Sequence, residues 1–129
     1  MIPGIHLTPI GDDSVLLEPG DGLDPTDPNA YLVPLLAFLQ KKRARFLIYD
    51  LKNVALIDRV YYEWMTAMNS LCLISGIRMV VANIRPYAAF ALSQLISDDP
   101  PFACALDVDS ARQAISRLAG SDTGTGTGP

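Results

Sequence analysis

The sequence has a single histidine and two cysteines, and that scarcity removes several chemistries. His6 stands alone, so neither a zinc site nor a histidine-based catalytic triad assembles around it. Cys72 and Cys104 lie far apart without metal-ligand spacing, and both are expected as buried free thiols. No apolar run approaches the roughly 20 residues that span a bilayer. The segment Met1–His6 has no basic stretch and no following apolar segment, so no secretory leader is expected. A cytoplasmic protein with no inserted segment follows. There is no glycine phosphate loop of the usual spacing and no nucleophile elbow, which argues against an enzyme, a metal site or a bound cofactor. Lys and Arg are also missing before Lys41, and the net charge is -4. A nucleic-acid partner would want a basic face, so none is expected.

What is present fits one globular domain. With 129 residues, half of them hydrophobic, the chain is long enough to bury a core. Charge is unevenly placed. Asp12, Asp13, Glu18, Asp21, Asp24 and Asp27 precede the basic cluster Lys41-Lys42-Arg43-Ala44-Arg45. That cluster reads as a solvated helix end at the negative terminus of the dipole, with a partner surface as the other reading.

Periodicity divides the chain. Ile5–Ile10 and Ser14–Glu18 read as short strands around the turn-forming Gly11-Asp12-Asp13. Pro9 marks the first as an edge strand. Asp27 is the expected N-cap of a first helix, with Pro28 at its first position and Tyr31, Leu32, Leu35, Leu36 and Leu39 at helical spacing to about Lys42. Pro34 should kink that helix or delay its start. Phe46–Leu51 lacks alternation and fits a central strand covered on both faces. Val60, Trp64, Ala67, Met68 and Leu71 form the expected inner stripe of a long helix to Ile74. The outward positions are then Arg59, Tyr62, Glu63, Thr66, Asn69, Ser70 and Leu73. Gly76 suits the C-terminal cap. Ile77–Ala82 is a second buried strand. Pro86 starts a helix through Ile96, with Ala89, Leu92 and Leu95 or Ile96 inward. Phe102–Leu106 is a last strand, and Asp107 or Asp109 caps a helix over Ser110–Leu118. Residues 120–129 carry only Gly, Thr, Ser, Asp and Pro and are expected as a disordered tail behind a single domain over 1–119. The order is ββαβαβαβα. Strands separated by single helices imply a mostly parallel sheet of four or five strands, with four helices packed mainly on one face.

Two stretches carry a family resemblance. The first is Val54-Ala55-Leu56-Ile57-Asp58-Arg59 before the long helix. The second is Asn83-Ile84-Arg85-Pro86 opening the next helix, with Leu95-Ile96 at its end. Over residues 5–118, and most of all over 46–96, the chain resembles a STAS domain of the anti-sigma-factor antagonists, in the stressosome branch. In that family the loop before the long helix ends in Asp followed by Ser or Thr, and the hydroxyl is the phosphate acceptor that switches partners. Asp58 matches the Asp, but Arg59 stands at the acceptor position. Ile84, Arg85, Pro86 and Leu95 fit the second pattern. Asn83 and Ile96 replace two glycines. Asn tolerates the left-handed region better than most residues; Ile96 does not, so that helix must end differently.

The resemblance implies a non-catalytic regulatory or scaffold protein that binds other STAS subunits or a small serine kinase or anti-sigma factor, in a homo- or hetero-oligomer. Its expected partner-binding residues are Asp58, Arg59, Tyr62, Glu63 and Thr66. Arg59 has no hydroxyl, so the usual switch is missing. It reads as an exposed remnant, as a permanent ligand for an acidic partner group, or as part of a small-anion site. Asp58 reads first as an N-cap. Thr26, before the first helix, is a candidate second phosphorylation site, with a turn-and-cap role as the plainer reading. Ser97, Thr66 and Ser70 are hydroxyls without a motif. An accessory or ligand-binding STAS module of a membrane transporter is the alternative function.

Overall fold

The computed structural model describes residues 2–96 and 99–127, with side chains as far as residue 118. Ser97 and the last two residues of the expected tail lie outside the described residues. The chain begins with a hairpin. Strand β1 (Ile5–Gly11) pairs antiparallel with β2 (Ser14–Pro19). Asp12 and Asp13 both take positive φ, 54° and 56°, as a two-residue hairpin turn requires. Pro9 lies on the edge strand as expected, and the register shifts between Pro9 and Gly11.

Helix α1 (Asn29–Lys41), strand β3 (Phe46–Asp50), helix α2 (Arg59–Ile74), strand β4 (Arg78–Ala82), helix α3 (Pro86–Leu95), strand β5 (Ala103–Ala105) and helix α4 (Val108–Thr127) complete the order. The five strands lie side by side in sequence order, and β2 to β5 are parallel. Each crossover steps the same way along the sheet. Right-handed connections therefore put α1, α2 and α3 on one face, and α4 covers the other. Alternation along the strands sorts the core accordingly. Leu47, Tyr49, Met79 and Val81 join the cluster under α1–α3, while Phe46, Ile48, Val80 and Ala82 pack with Ala111 and Ile115 of α4. Every residue of β3 is buried, as the continuous apolar run foretold.

Most ends follow local chemistry. Gly76 takes φ +76° just past α2, and Pro86 opens α3. Asp107 Oδ1 accepts from Ser110 N at 2.7 Å at the start of α4. Ile96 is extended (φ -123°), so α3 does end without a left-handed residue. Three details differ from the sequence reading. The cap of α1 is Pro28 rather than Asp27, and no side chain bonds there. Ala88, not Ala89, is the buried alanine of α3. Cys104 is exposed, its Sγ turned to the Phe102 carbonyl at 3.8 Å, whereas Cys72 is buried. Three-residue β5 is an edge strand, and an edge leaves alternate side chains uncovered. Helix α4 continues past Leu118 to Thr127; nothing in that Gly/Thr-rich stretch explains the extension.

Candidate functional site

The C-terminal ends of the parallel strands gather the loops that carry the singled-out residues. Asp58 is the N-cap of α2. Its backbone is extended (φ -93°, ψ -178°), and its Oδ1 accepts from Tyr61 N at 2.8 Å. This bond satisfies one of the orphan donors of the first helical turn. Arg59 follows as the first helical residue and is exposed. Glu63, one turn on, is also exposed. Tyr62 and Thr66 are only half-exposed. The Tyr62 ring lies 6.5 Å from that of Phe102, and Thr66 Oγ1 donates to the Tyr62 carbonyl at 2.9 Å. Of the five expected partner-binding residues, Asp58, Arg59 and Glu63 thus form an open face. Tyr62 and Thr66 flank it and are partly committed to the fold.

The long helix is rotated from its expected setting. Its buried residues are Trp64, Met65, Met68, Asn69 and Cys72. Leu71 is half-exposed, and Val60 is 39% exposed. Asn69, expected among the outward positions, is buried and donates through Nδ2 to the Pro101 carbonyl at 3.1 Å. It ties α2 to the segment before β5. The rotation turns Val60 outward beside Leu56, which is 62% exposed. The start of α2 therefore shows two apolar side chains among the charges of Asp58, Arg59 and Glu63. Sequence reasoning missed both as surface residues.

An aromatic chain fixes this end from beneath. Trp64 Nε1 donates to Tyr49 Oη at 2.9 Å. The Tyr49 and Tyr61 hydroxyls share a further hydrogen bond at 2.6 Å, in which either oxygen can donate. The Tyr31 ring meets Trp64 edge-on at 5.5 Å. Tyr31 Oη accepts from Asp24 N at 2.9 Å. Burial, above all, raises the Tyr61 pKa to about 12 and pushes Tyr49 well above its ordinary value. Both are neutral hydrogen-bonding groups at physiological pH.

That chain ties the start of α2 to the loop bearing Thr26. The Thr26 amide and Oγ1 both donate to Asp24 Oδ1, at 3.0 and 2.5 Å. These bonds hold the Asp24 carboxyl below its ordinary pKa. Thr26 is exposed, and Pro25, Thr26 and Pro28 face Val60, Glu63 and Trp64 across a shallow cleft. The loop is seated on Gly4 (φ +79°), where an added Cβ would lie 2.5 Å from Leu23 N. So Thr26 and the α2 start, far apart in sequence, share one surface.

Beside them, the turn after β4 uses Asn83 in the left-handed region (φ +61°), as its place in the second motif required. Asn83 Nδ2 donates to Asp50 Oδ1 at 3.0 Å, and the same oxygen accepts from Lys52 N at 2.9 Å. Asp50 is buried and satisfied. It braces the ends of β3 and β4 and is not free for a ligand.

This architecture is STAS-like: a five-stranded, mostly parallel sheet with four helices in the order ββαβαβαβα. The solved structures that share it include these three. One is RsbS of Moorella thermoacetica in a serine-to-glutamate variant, 19% identical, covering 89% of this chain and 97% of its own, with a TM-score of 0.72. A second belongs to the molecular architecture of the stressosome, a signal integration and transduction hub; it is 18% identical, covers 88% and 98%, and has a TM-score of 0.76. The third, the NMR structure of the protein TM1081, is 18% identical, covers 91% and 90%, and has a TM-score of 0.72. No family model matches the chain, and no curated protein matches it. What the three structures share with it is the fold.

Proposed function

We propose that the chain is a non-catalytic regulatory or scaffold subunit of a stress-response or anti-sigma-factor pathway in the cytoplasm. It docks another STAS subunit or a small serine kinase on the start of α2. The observation that carries this reading is Arg59: an exposed cation as the first residue of α2, where the STAS pattern has its phosphate acceptor. A cation at a helix N-terminus faces the positive end of the dipole and costs about 0.3–1 kcal/mol. It becomes useful when a partner carboxylate meets it. The exposed Leu56 and Val60 alongside supply the apolar centre that such a contact wants, with charges as its rim. Fold likeness to a stressosome component supports assembly with STAS partners.

Arg59 makes the docking face insensitive to a serine kinase. Incubation with ATP and a serine kinase of the anti-sigma type should leave residues 56–62 without phosphate. Phosphate mapped to Tyr61 or Tyr62 would contradict the account. Thr26 is the proposed remaining acceptor. A phosphate there would replace the bond to Asp24 with repulsion between anions and alter the cleft facing Val60 and Glu63. Phosphate recovered at Thr26, with a changed partner affinity, would support that regulation.

A further inference from the structure

Strand β1 ends the sheet, and among the described residues no strand lies beyond it. Its pairing fixes which backbone groups are left over. The Gly20 amide donates to the Gly4 carbonyl at 2.8 Å, and the register continues with His6 opposite Glu18 and Thr8 opposite Leu16. Hydrogen-bonded pairs alternate with non-bonded ones along an antiparallel ladder, so His6 and Thr8 bond to β2. Ile5, Leu7 and Pro9 therefore turn their backbone groups away from β2. The Ile5 amide is taken by the Ile2 carbonyl at 3.2 Å, and a proline has no N–H. The open edge thus offers one donor, the Leu7 amide, and three acceptors, the carbonyls of Ile5, Leu7 and Pro9. The side chains of Ile5 and Leu7 belong to the core under α1–α3. On that face a cleft of about 290 Å³ lies between β1 and α1, lined by Ile2, Ile5, His6, Leu7, Pro34 and Phe38.

We propose that this edge binds an extended peptide segment of another protein, which adds to the sheet as a further strand and seats an apolar side chain in the cleft. Residues paired across a ladder put their side chains on the same face. The residue opposite Leu7 therefore points to the α1 side, where the cleft is. Main-chain hydrogen bonds supply affinity in such a contact, and the pocket for alternate side chains supplies specificity. The donor count selects the occupant. A proline-free segment brings an amide to each of the three carbonyls and a carbonyl to the Leu7 amide. Two copies of β1 cannot do this, because each brings one donor for three carbonyls and most acceptors stay unpaired. Residues 120–129 hold no apolar side chain, so the chain's own end does not fill the cleft either. The edge shares no residue with the start of α2, and the proposal does not rest on the docking reading.

Fluorescence anisotropy with the full chain tests it. The probe is a short fluorescein-labelled peptide that alternates threonine with valine about a central leucine. Saturable binding is expected, and replacing the central leucine by alanine should weaken it at least about tenfold, the scale of one buried leucine. Methylating one alternate set of peptide amides should abolish binding, and methylating the other set should leave it, because only one set faces β1. Leu7→Pro removes the single open donor without touching a β1–β2 bond and should also weaken binding about tenfold. Circular dichroism and Trp64 fluorescence check its fold, and the methylated peptides decide the matter if it does not fold. A wild-type chain without saturable binding would overturn the proposal. So would equal losses from the two methylated sets, or a folded Leu7→Pro that binds as well as wild type. A dimer of the chain alone that Leu7→Pro converts to a monomer would give the edge to a second copy and overturn it as well.

Discussion

Asp58 and Tyr49 show how single side chains hold the candidate site. Asp58 caps α2 through one hydrogen bond to the Tyr61 amide. Replacing it by Ala should cost about 0.5–2 kcal/mol, read as a lower urea midpoint at unchanged slope. Tyr49 is buried and bonds both Trp64 and Tyr61. Tyr49→Phe removes the acceptor of a buried indole N–H and should cost about 1–3 kcal/mol. The same urea titration, followed by fluorescence of the single Trp64, checks it. A change below that of Asp58→Ala would mean that the hydroxyl chain contributes little. None of this chain was legible in the sequence. Periodicity assigns a residue to a face but not to a partner, and Tyr31, Tyr49, Tyr61 and Trp64 come from three different elements. Asp58 was legible as a cap because its bond is local.

At the scale of elements, order and type were legible throughout and orientation was not. The helix over 59–74 was expected from its apolar spacing, but its buried face runs through Met65, Asn69 and Cys72 as well as Trp64 and Met68. Asn69 was assigned outward because it lies off the stripe of Val60, Trp64, Ala67, Met68 and Leu71. Its partner, the Pro101 carbonyl, is remote in sequence. In the same helix setting Asn69 is buried and Val60 is exposed. Helix α4 poses the opposite case. Ala111 and Ile115 bury its described face, while residues 120–129 hold no apolar side chain. Truncation after Ala119 should therefore change stability by less than about 0.5 kcal/mol, measured by urea unfolding. A larger loss would show that the Gly/Thr-rich stretch packs on the domain.

For the molecule as a whole, burial fixes protonation and hence the alkaline limit of stability. The Tyr61 and Cys72 pKa values are each raised to about 12, from ordinary values of 10.0 and 9.0, and desolvation is the main cause. Tyr49 is raised as well. The folded state thus holds protons that the unfolded chain has released. The stabilisation is complete below the ordinary values and is lost as pH rises from about 9 toward 12. Cys72 should stay unmodified by a thiol reagent in the native state while the exposed Cys104 reacts, and circular dichroism should fall before Tyr49 and Tyr61 ionise. Phenolate absorbance from those two residues near pH 10 in a still-folded chain would contradict their burial.

The docking claim also belongs to the whole molecule, because a partner reads the end of the sheet rather than one residue. Its fold was legible through two short motifs, and its open face only in part: Asp58, Arg59 and Glu63 were identified, Leu56 and Val60 were not. The deciding measurement is the affinity of the protein that co-purifies with the tagged chain, titrated by calorimetry against wild type and Arg59→Glu. The variant should fold as well as wild type or slightly better, since Glu suits a helix N-terminus. Its affinity should fall more than about tenfold, the scale of a charge reversal at a desolvated contact. Equal affinity for the two proteins would remove Arg59 from the interface and contradict the account.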